Sequence, residues 1–547
     1  MADLADLAYV GRSAASNGIS RLRAWWFSLP GFLWIVGFLV ALALLLPVAY
    51  LLLRALGAGD AAWQELVSAR TARILGRTLW LAFCVTLSCA LMAVPLAWLT
   101  VRSDLPLRRM WAVLTPLPLV IPSYVGAYLM ISVLGPRGLL QHWLEPLGVQ
   151  RLPDIYGFRG AFLALTLLSY PYVLLSTRAA LLRMNPAMEE ASRNLGSGPW
   201  RTFWRVTLPQ LRPGLVAGGL LVTIYVLRDF GAVSLMRYST FTRAIYLQYQ
   251  SSFDRTMAAI LALVLVLITL TILAIDMRTR GRASYYGGDV GSARPAVTIS
   301  LGHWRWPSFF FCAAVVTLGL VMPGSVLVFW LMRGIRMGVD YSSLFGAALN
   351  SLMTSGASAA LALLAAIPVA VLSVRHAGRA SGIMERISYS AFALPGMVVA
   401  LALVFFGANF ARPLYQTMAM LLLGYLILFL PEVVGVLRAA LLQLSPSLEH
   451  AARTLGRGPL GVFTTITVPL TWSGIAAGAV LVFLTAMKEL PVTLMLSPLG
   501  FRTLSTSVWS AVSEAFFAEA AAPSLLLILL SSLPMALLVI RERDRIA

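Results

Sequence analysis

The segment PYVLLSTRAALLRMNPAMEEASRNLG, Pro171–Gly196, returns 260 residues later as PEVVGVLRAALLQLSPSLEHAARTLG, Pro431–Gly456, without a gap. The same shift carries SGPWRTFWRVTLP (Ser197–Pro209) onto RGPLGVFTTITVP (Arg457–Pro469), and LRDFGAVSLM (Leu227–Met236) onto MKELPVTLML (Met487–Leu496). Each copy leaves an oily run, passes through a polar, helix-like insert and re-enters an oily run. The chain is therefore read as two halves of one design.

What surrounds the repeat sets the class. Hydrophobic residues make up 59% of the 547 and charged residues 12%. Apolar runs of about 20 residues, enough to cross a bilayer as a helix, recur throughout, as in GFLWIVGFLVALALLLPVAYLLL (Gly31–Leu53). The prediction is an all-α polytopic membrane protein. Six spans are expected in the first half, at 31–53, 76–100, 111–134, 160–183, 213–235 and 256–276. Six follow in the second, at 308–331, 350–374, 388–408, 417–441, 473–496 and 519–540. The halves are placed at 1–280 and 307–547, with a Gly-, Ser- and Arg-rich linker at 281–306. An even number of spans per half puts both inserts on one face, related by a pseudo-two-fold axis along the membrane normal.

The net charge of +20 is explained by the positive-inside rule rather than by nucleic acid. Arg12, Arg21 and Arg23 precede the first span, Arg102, Arg108 and Arg109 follow the second, and Arg278, Arg280 and Arg282 follow the sixth. Arg375, Arg379 and Arg386 lie between spans eight and nine, and Arg541, Arg543 and Arg545 close the chain. All share a side if both termini are cytoplasmic, and both inserts join them there. The segment Arg54–Arg77 is basic on the opposite face, against the rule. The first apolar run is too long for a signal-peptide core and is read as a retained span.

Cys84, Cys89 and Cys312 sit within spans without CxxC spacing, and His142, His303, His376 and His450 form no ligand motif. No catalytic residue, metal site or cofactor is expected in this chain.

The inserts share a local grammar. Asn185 and Ser445 suit helix N-caps, Pro186 and Pro446 the first helical position, and Glu189, Glu190 and Glu449 the positive helix end. Met188, Ala191 and Leu195 make one apolar stripe, repeated by Leu448, Ala451 and Leu455. Gly196 and Gly456 stand where a left-handed C-terminal cap belongs. Helices this short are unstable alone. They are read as docking elements for two equivalent partner surfaces, in preference to helices lying on lipid headgroups or packing elements between spans.

The spacing Glu-Ala-Ala, three residues, Gly, nine residues, an aliphatic, one residue, Leu-Pro resembles the coupling motif of permease subunits of binding-protein-dependent ABC importers. Glu190, Ala191, Ser192, Gly196, Val206, Leu208 and Pro209 match it; His450, Ala451, Ala452, Gly456, Ile466, Val468 and Pro469 form the second copy. There His450 replaces the acid, although Glu449 precedes it. The two-in-one plan looks most like the ferric-iron permeases, with LPGMVVALALVFF (Leu394–Phe406) adding to the likeness. The resemblance implies coupling helices within 186–209 and 446–469, two copies of an ABC ATPase subunit carrying ATP and Mg, an extracytoplasmic substrate-binding protein and the bacterial inner membrane. Lys488, the one lysine, is followed by Glu489, so the chain holds no Walker A lysine with its Ser or Thr.

Arg228-Asp229 and Lys488-Glu489 are adjacent opposite charges at equivalent positions of the repeat. They are read either as pathway or gate residues or as ion pairs holding the halves in register. Glu432 has Tyr172 as its counterpart and is a further pathway candidate, or a partner of Arg438. No dense carboxylate or tyrosine cluster is visible in the spans, so thiamine, phosphonate or polyamine remain alternative cargoes. An ion-coupled secondary transporter using Asp229, Glu432 and Glu489 is the competing class; a non-transporting scaffold is the third.

Overall fold

The structure, a computed structural model, describes residues 29–60, 64, 66–136, 138–184, 187–251, 256–280 and 298–543. Arg12, Arg21, Arg23, Arg282, Arg545, Asn185, Pro186 and most of the predicted linker lie outside them.

Among the described residues the secondary structure is helical, apart from an isolated bridge between Ser103 and Ile299. The first half comprises α1 (Leu29–Leu56), α2 (Ala69–Arg102), α3 (Arg108–Leu114), α4 (Ser123–Leu134) and α5 (Phe158–Arg183). The insert helix α6 (Ala187–Asn194) is followed by α7 (Leu208–Arg228), α8 (Gly231–Leu235), α9 (Phe241–Ser251) and α10 (Thr256–Arg280). In the second half, α11 (Arg305–Val316) and α12 (Met322–Arg336) form one span through a π-helical turn, before α13 (Leu344–Arg375), α14 (Arg379–Ala391) and α15 (Gly396–Asn409). The order closes with α16 (Met418–Gln443), the insert helix α17 (Pro446–Thr454), α18 (Val468–Lys488), α19 (Pro491–Leu496), α20 (Leu504–Ser513) and α21 (Phe517–Arg543).

Among the described residues nine helices are long and apolar enough to cross a membrane, eleven if each of two bent pairs is one span, and Phe517–Ser532 is a shorter apolar helix. Two expectations need correction. Spans three and nine are not straight: Arg108–Val120 meets the segment that begins with α4 at 96°, and α14 meets α15 at 107°. The breaks fall at Pro122 and Pro395, each an extended residue capping the next helix. Proline removes a backbone donor and pushes its predecessor out of the helical region. Spans five and eleven also end early, at Arg228 and Lys488 rather than near 235 and 496. The linker's end is ordered too, with Ile299 and Leu301 hydrogen-bonded to Arg102 O and Asp104 Oδ1 and helix resuming at Arg305.

Bundles α2–α5–α7 and α13–α16–α18 form the cores of the two halves. They are laced together by their first spans. α1 packs on α13, α14 and α15 of the second half. Cys312, Val315 and Val316 of α11 are buried in the first half's core, and Trp330 of α12 donates to Ser132 Oγ at 2.5 Å. The repeat boundary therefore divides the sequence but not the packing.

Candidate functional site

Each insert is a short helix, a left-handed turn and a second helix that runs unbroken into a span. Ser445 caps α17, accepting from Ser447 N, with Pro446 at the first turn. Gly196 and Gly456 have φ of 81° and 83°. Ser197 N reaches Ser192 O and Arg457 N reaches Ala452 O, the paired pattern that closes a helix on a left-handed residue. From Pro199 a 30-residue helix, about 45 Å at 1.5 Å per residue, leads to Arg228; a second leads from Pro459 to Lys488. Pro209 and Pro469 follow the π-helical turns Phe203–Thr207 and Phe463–Thr467 within these continuous helices.

Each insert turns one acid inward. Glu189 and Glu449 are buried, whereas Glu190, His450, Ala191 and Ala451 are exposed, Ser192 is half-buried and Ala452 is buried. Glu189 Oε1 accepts from Thr207 Oγ1 at 2.7 Å, and Arg102 lies 3.9 Å from Oε2. Glu449 Oε1 accepts from Thr467 Oγ1 at 3.2 Å and from Arg375 at 3.0 and 3.2 Å. Both threonines end a π-helical turn (Phe203–Thr207 and Phe463–Thr467), whose extra residue re-aims the side chain. Arg102 and Arg375 are the last residues of α2 and α13 and also donate to Leu181 O and Leu444 O. Each insert is thus bolted to the second span of its own half. Because Glu449 fills the buried position, the His450 substitution falls on the exposed face and leaves this lock intact. The apolar stripe points the other way: Leu195 is 87% and Leu455 84% exposed, with Met188 and Leu448 also uncovered.

The paired charges sit where the halves meet. Arg228 donates to Phe392 O at 3.2 Å and lies over the Phe392 ring; Lys488 Nζ donates to Leu119 O at 3.2 Å. Leu119 and Phe392 occupy equivalent places just before the breaks of the bent spans, so each cation crosses to the other half. The acids act locally. Asp229 Oδ1 accepts from Ala232 and Val233 N, and Glu489 Oε1 from Val492 N, capping α8 and α19. Neither dipeptide is an internal ion pair, which corrects that alternative. Glu432 does not pair with Arg438 either: it accepts from Thr485 Oγ1 at 3.3 Å, while Arg438 pairs with Glu385 at 3.0 Å.

A tyrosine cluster also emerges that the linear sequence hides. Tyr172 and Tyr225 rings lie 5.5 Å apart; Tyr172 is within electrostatic reach of Glu432 and Arg228, Tyr225 of Asp229, and Tyr124 of Glu489 and Tyr425. Among the described residues no group of three His, Cys, Asp or Glu could hold a metal ion.

Two stretches, 90–280 and 359–545, match the family described as "Binding-protein-dependent transport system inner membrane component". The chain belongs to that family. It is an ABC-type permease of the inner membrane with the family unit present twice. It is 35% identical over 93% of its length, and 98% of the relative's, to a Haemophilus influenzae protein named Fe(3+)-transport system permease protein FbpB 2. A ferric transport system permease protein FbpB of Actinobacillus pleuropneumoniae is 24% identical over 83% of this chain and 69% of its own. A Synechocystis sulfate transport system permease protein, CysW, is 30% identical over 44% of this chain and 92% of its own.

Proposed function

We propose that this permease is the conduit of a ferric-iron importer, worked by two copies of a separate ATPase subunit and loaded by an extracytoplasmic iron-binding protein. The observation that carries the cargo is the likeness, along nearly the whole of both chains, to a permease named for Fe(3+) transport. The docking role rests on the two inserts, each of which buries one acid and exposes an apolar stripe beside the outward Glu190 or His450. In this reading ATP and Mg reside on the partners, the chain binds no cofactor, and inserts and termini face the cytoplasm.

The mechanism follows from the connections. Closure of the ATPase subunits draws the inserts together. Glu189, Glu190, Ala191, Ser192, Gly196 and Pro209, with Glu449, His450, Ala451, Ala452, Gly456 and Pro469, form the two docking units. The locks to Arg102 and Arg375 make α2 and α13 follow, and the continuous helices carry the motion to Arg228 and Lys488. Opening the middle then requires these cations to leave Phe392 O and Leu119 O, which makes them gate residues. Asp229 and Glu489 hold the gate helices by their caps, and Glu432 with the tyrosines lines the way for a hard cation that favours oxygen.

The test is uptake of radioactive iron into proteoliposomes containing the copurified complex, with ATP inside or outside and the loaded binding protein supplied. Uptake driven by an ion gradient without an ATPase partner refutes the reading. Preference for sulfate, molybdate, thiamine, phosphonate or polyamine over iron refutes the cargo alone.

A further inference from the structure

α2 and α13 each join the two ends of the molecule. Their last residues, Arg102 and Arg375, meet the insert glutamates, while their first turns lie about 45–50 Å away by helix length. At those far ends the structure has a matched pair of cavities. One, of about 580 Å³, is framed by the start of α2 with α9 and α10; the other, of about 570 Å³, by the start of α13 with α20 and α21. These are equivalent elements of the two halves, so the cavities are pseudo-two-fold mates.

Their charges are opposite. Among the described residues the first is lined by Arg70, Arg73, Arg77 and Arg243 and by no carboxylate. The second is lined by Asp340, Glu514 and Glu519, with Arg502 as its one cation. Arg70, Arg73 and Arg77 are exposed, as are all three acids. Burial, and after it the neighbouring Arg237 guanidinium, push the Arg243 pKa down. Hydrogen bonds from Ser342 N and Oγ push the Asp340 pKa down and keep it ionised. Anionic lipid headgroups would account for arginines at a span end but not for acids at the equivalent end of the other half.

We propose that the two cavities form a polarised docking key that admits the extracytoplasmic binding protein in one of the two orientations the pseudo-two-fold axis would otherwise permit. An acidic patch on one part of the binding protein meets the arginine cavity and a basic patch on another part meets the acidic one. This rests on the importer reading above. Complementary charge steers encounter and rejects the reversed pose, an effect that salt screens.

The test uses the whole complex in nanodiscs with the Fe3+-loaded binding protein of the same organism. The half-maximal concentration for stimulating ATP hydrolysis is measured for the native chain, Arg70→Glu/Arg73→Glu and Glu514→Arg/Glu519→Arg. Each reversal is expected to raise it at least about tenfold at low salt, with basal hydrolysis unchanged and the difference shrinking at high salt. Photo-crosslinkers at Leu247 and Leu499, both exposed at the cavities, are expected to capture different, non-overlapping peptides of the binding protein. Unchanged stimulation in both variants, or capture of the same peptides from both positions, overturns the key while leaving the importer reading standing. The key also falls if Arg70→Glu/Arg73→Glu alters only inorganic phosphate binding or the response to anionic lipid. No stimulation of the native complex at all sinks the importer reading, and the key with it.

Discussion

Replacing Arg375 with Ala should free the second insert from the bundle. Glu449 is 7% exposed and shares one oxygen between Arg375 and Thr467. Removing the cation leaves a buried carboxylate held by a single hydroxyl, and breaking such a pair costs about 3–5 kcal/mol. Arg375 keeps 15% of its side chain in solvent, so the lower end of that range applies. About 3 kcal/mol corresponds to a roughly hundredfold shift from the seated toward the released insert. The assay is amide hydrogen exchange across 447–456 in the assembled complex, read beside the ratio of iron transported to ATP hydrolysed. Exchange should rise about a hundredfold and the ratio should fall, with membrane insertion unaffected. A double-mutant cycle with Glu449→Gln isolates the pair; its coupling energy should be about 2 kcal/mol. The matching cycle for Arg102 and Glu189, 3.9 Å apart, should give less than about 1 kcal/mol. Native exchange and a native ratio in Arg375→Ala would refute the lock.

Gly196→Val and Gly456→Val force a branched residue to φ near +80°, at a cost of about 1–3 kcal/mol each; coupled ATP hydrolysis should fall while the chain stays in the membrane, as activity assays and membrane fractionation would report. Leu195→Glu with Leu455→Glu puts charge on the exposed apolar stripe and should abolish copurification of the ATPase subunit without changing the permease's own thermal stability. Lys488→Met removes the reach to Leu119 O and should make the closed middle leaky, seen as iron efflux from loaded proteoliposomes without ATP. Asp229→Asn with Glu489→Gln should weaken the caps of α8 and α19 and slow uptake more than assembly.

The sequence was most informative where the repeat is gapless. The inserts, the left-handed glycines and the Arg228 and Lys488 positions all follow from one shift of 260 residues. The locks escaped because their arginines follow another. Arg375 lies 273 residues after Arg102, whereas a 260-residue shift carries Arg102 onto Ala362 and Arg375 onto Thr115. The extra 13 residues lie in the first half between the bent span and α5, so everything before that loop is out of register with everything after it. Phe392 and Leu119 share the 273-residue relation, which is why two isolated cations gave no hint of their carbonyl partners. The bent spans were hidden for a different reason. Residues on both sides of Pro122 and Pro395 are apolar, and a hydropathy window measures oiliness, not direction. Tyr124, Tyr172, Tyr225 and Tyr425 come from four helices, and no spacing rule along the chain joins them.

The way the halves interlock has a mechanical consequence. Arg228 ends a rigid helix that begins in the first insert, yet its bond is to Phe392 in the second half; Lys488 makes the reciprocal reach to Leu119. A pull on either insert therefore acts on the bent span of the opposite half. The inner ends of the bent spans are held separately, because Arg178 donates to Ala112 O and Arg438 pairs with Glu385 at the equivalent place. Each bent span is thus gripped at one end by its own half and at its break by the other. Moving one insert alone would strain both grips, whereas moving both relieves them together. The crossing bonds consequently favour concerted motion of the halves, and a complex carrying one ATPase-docking insert disabled should lose transport altogether rather than retain half.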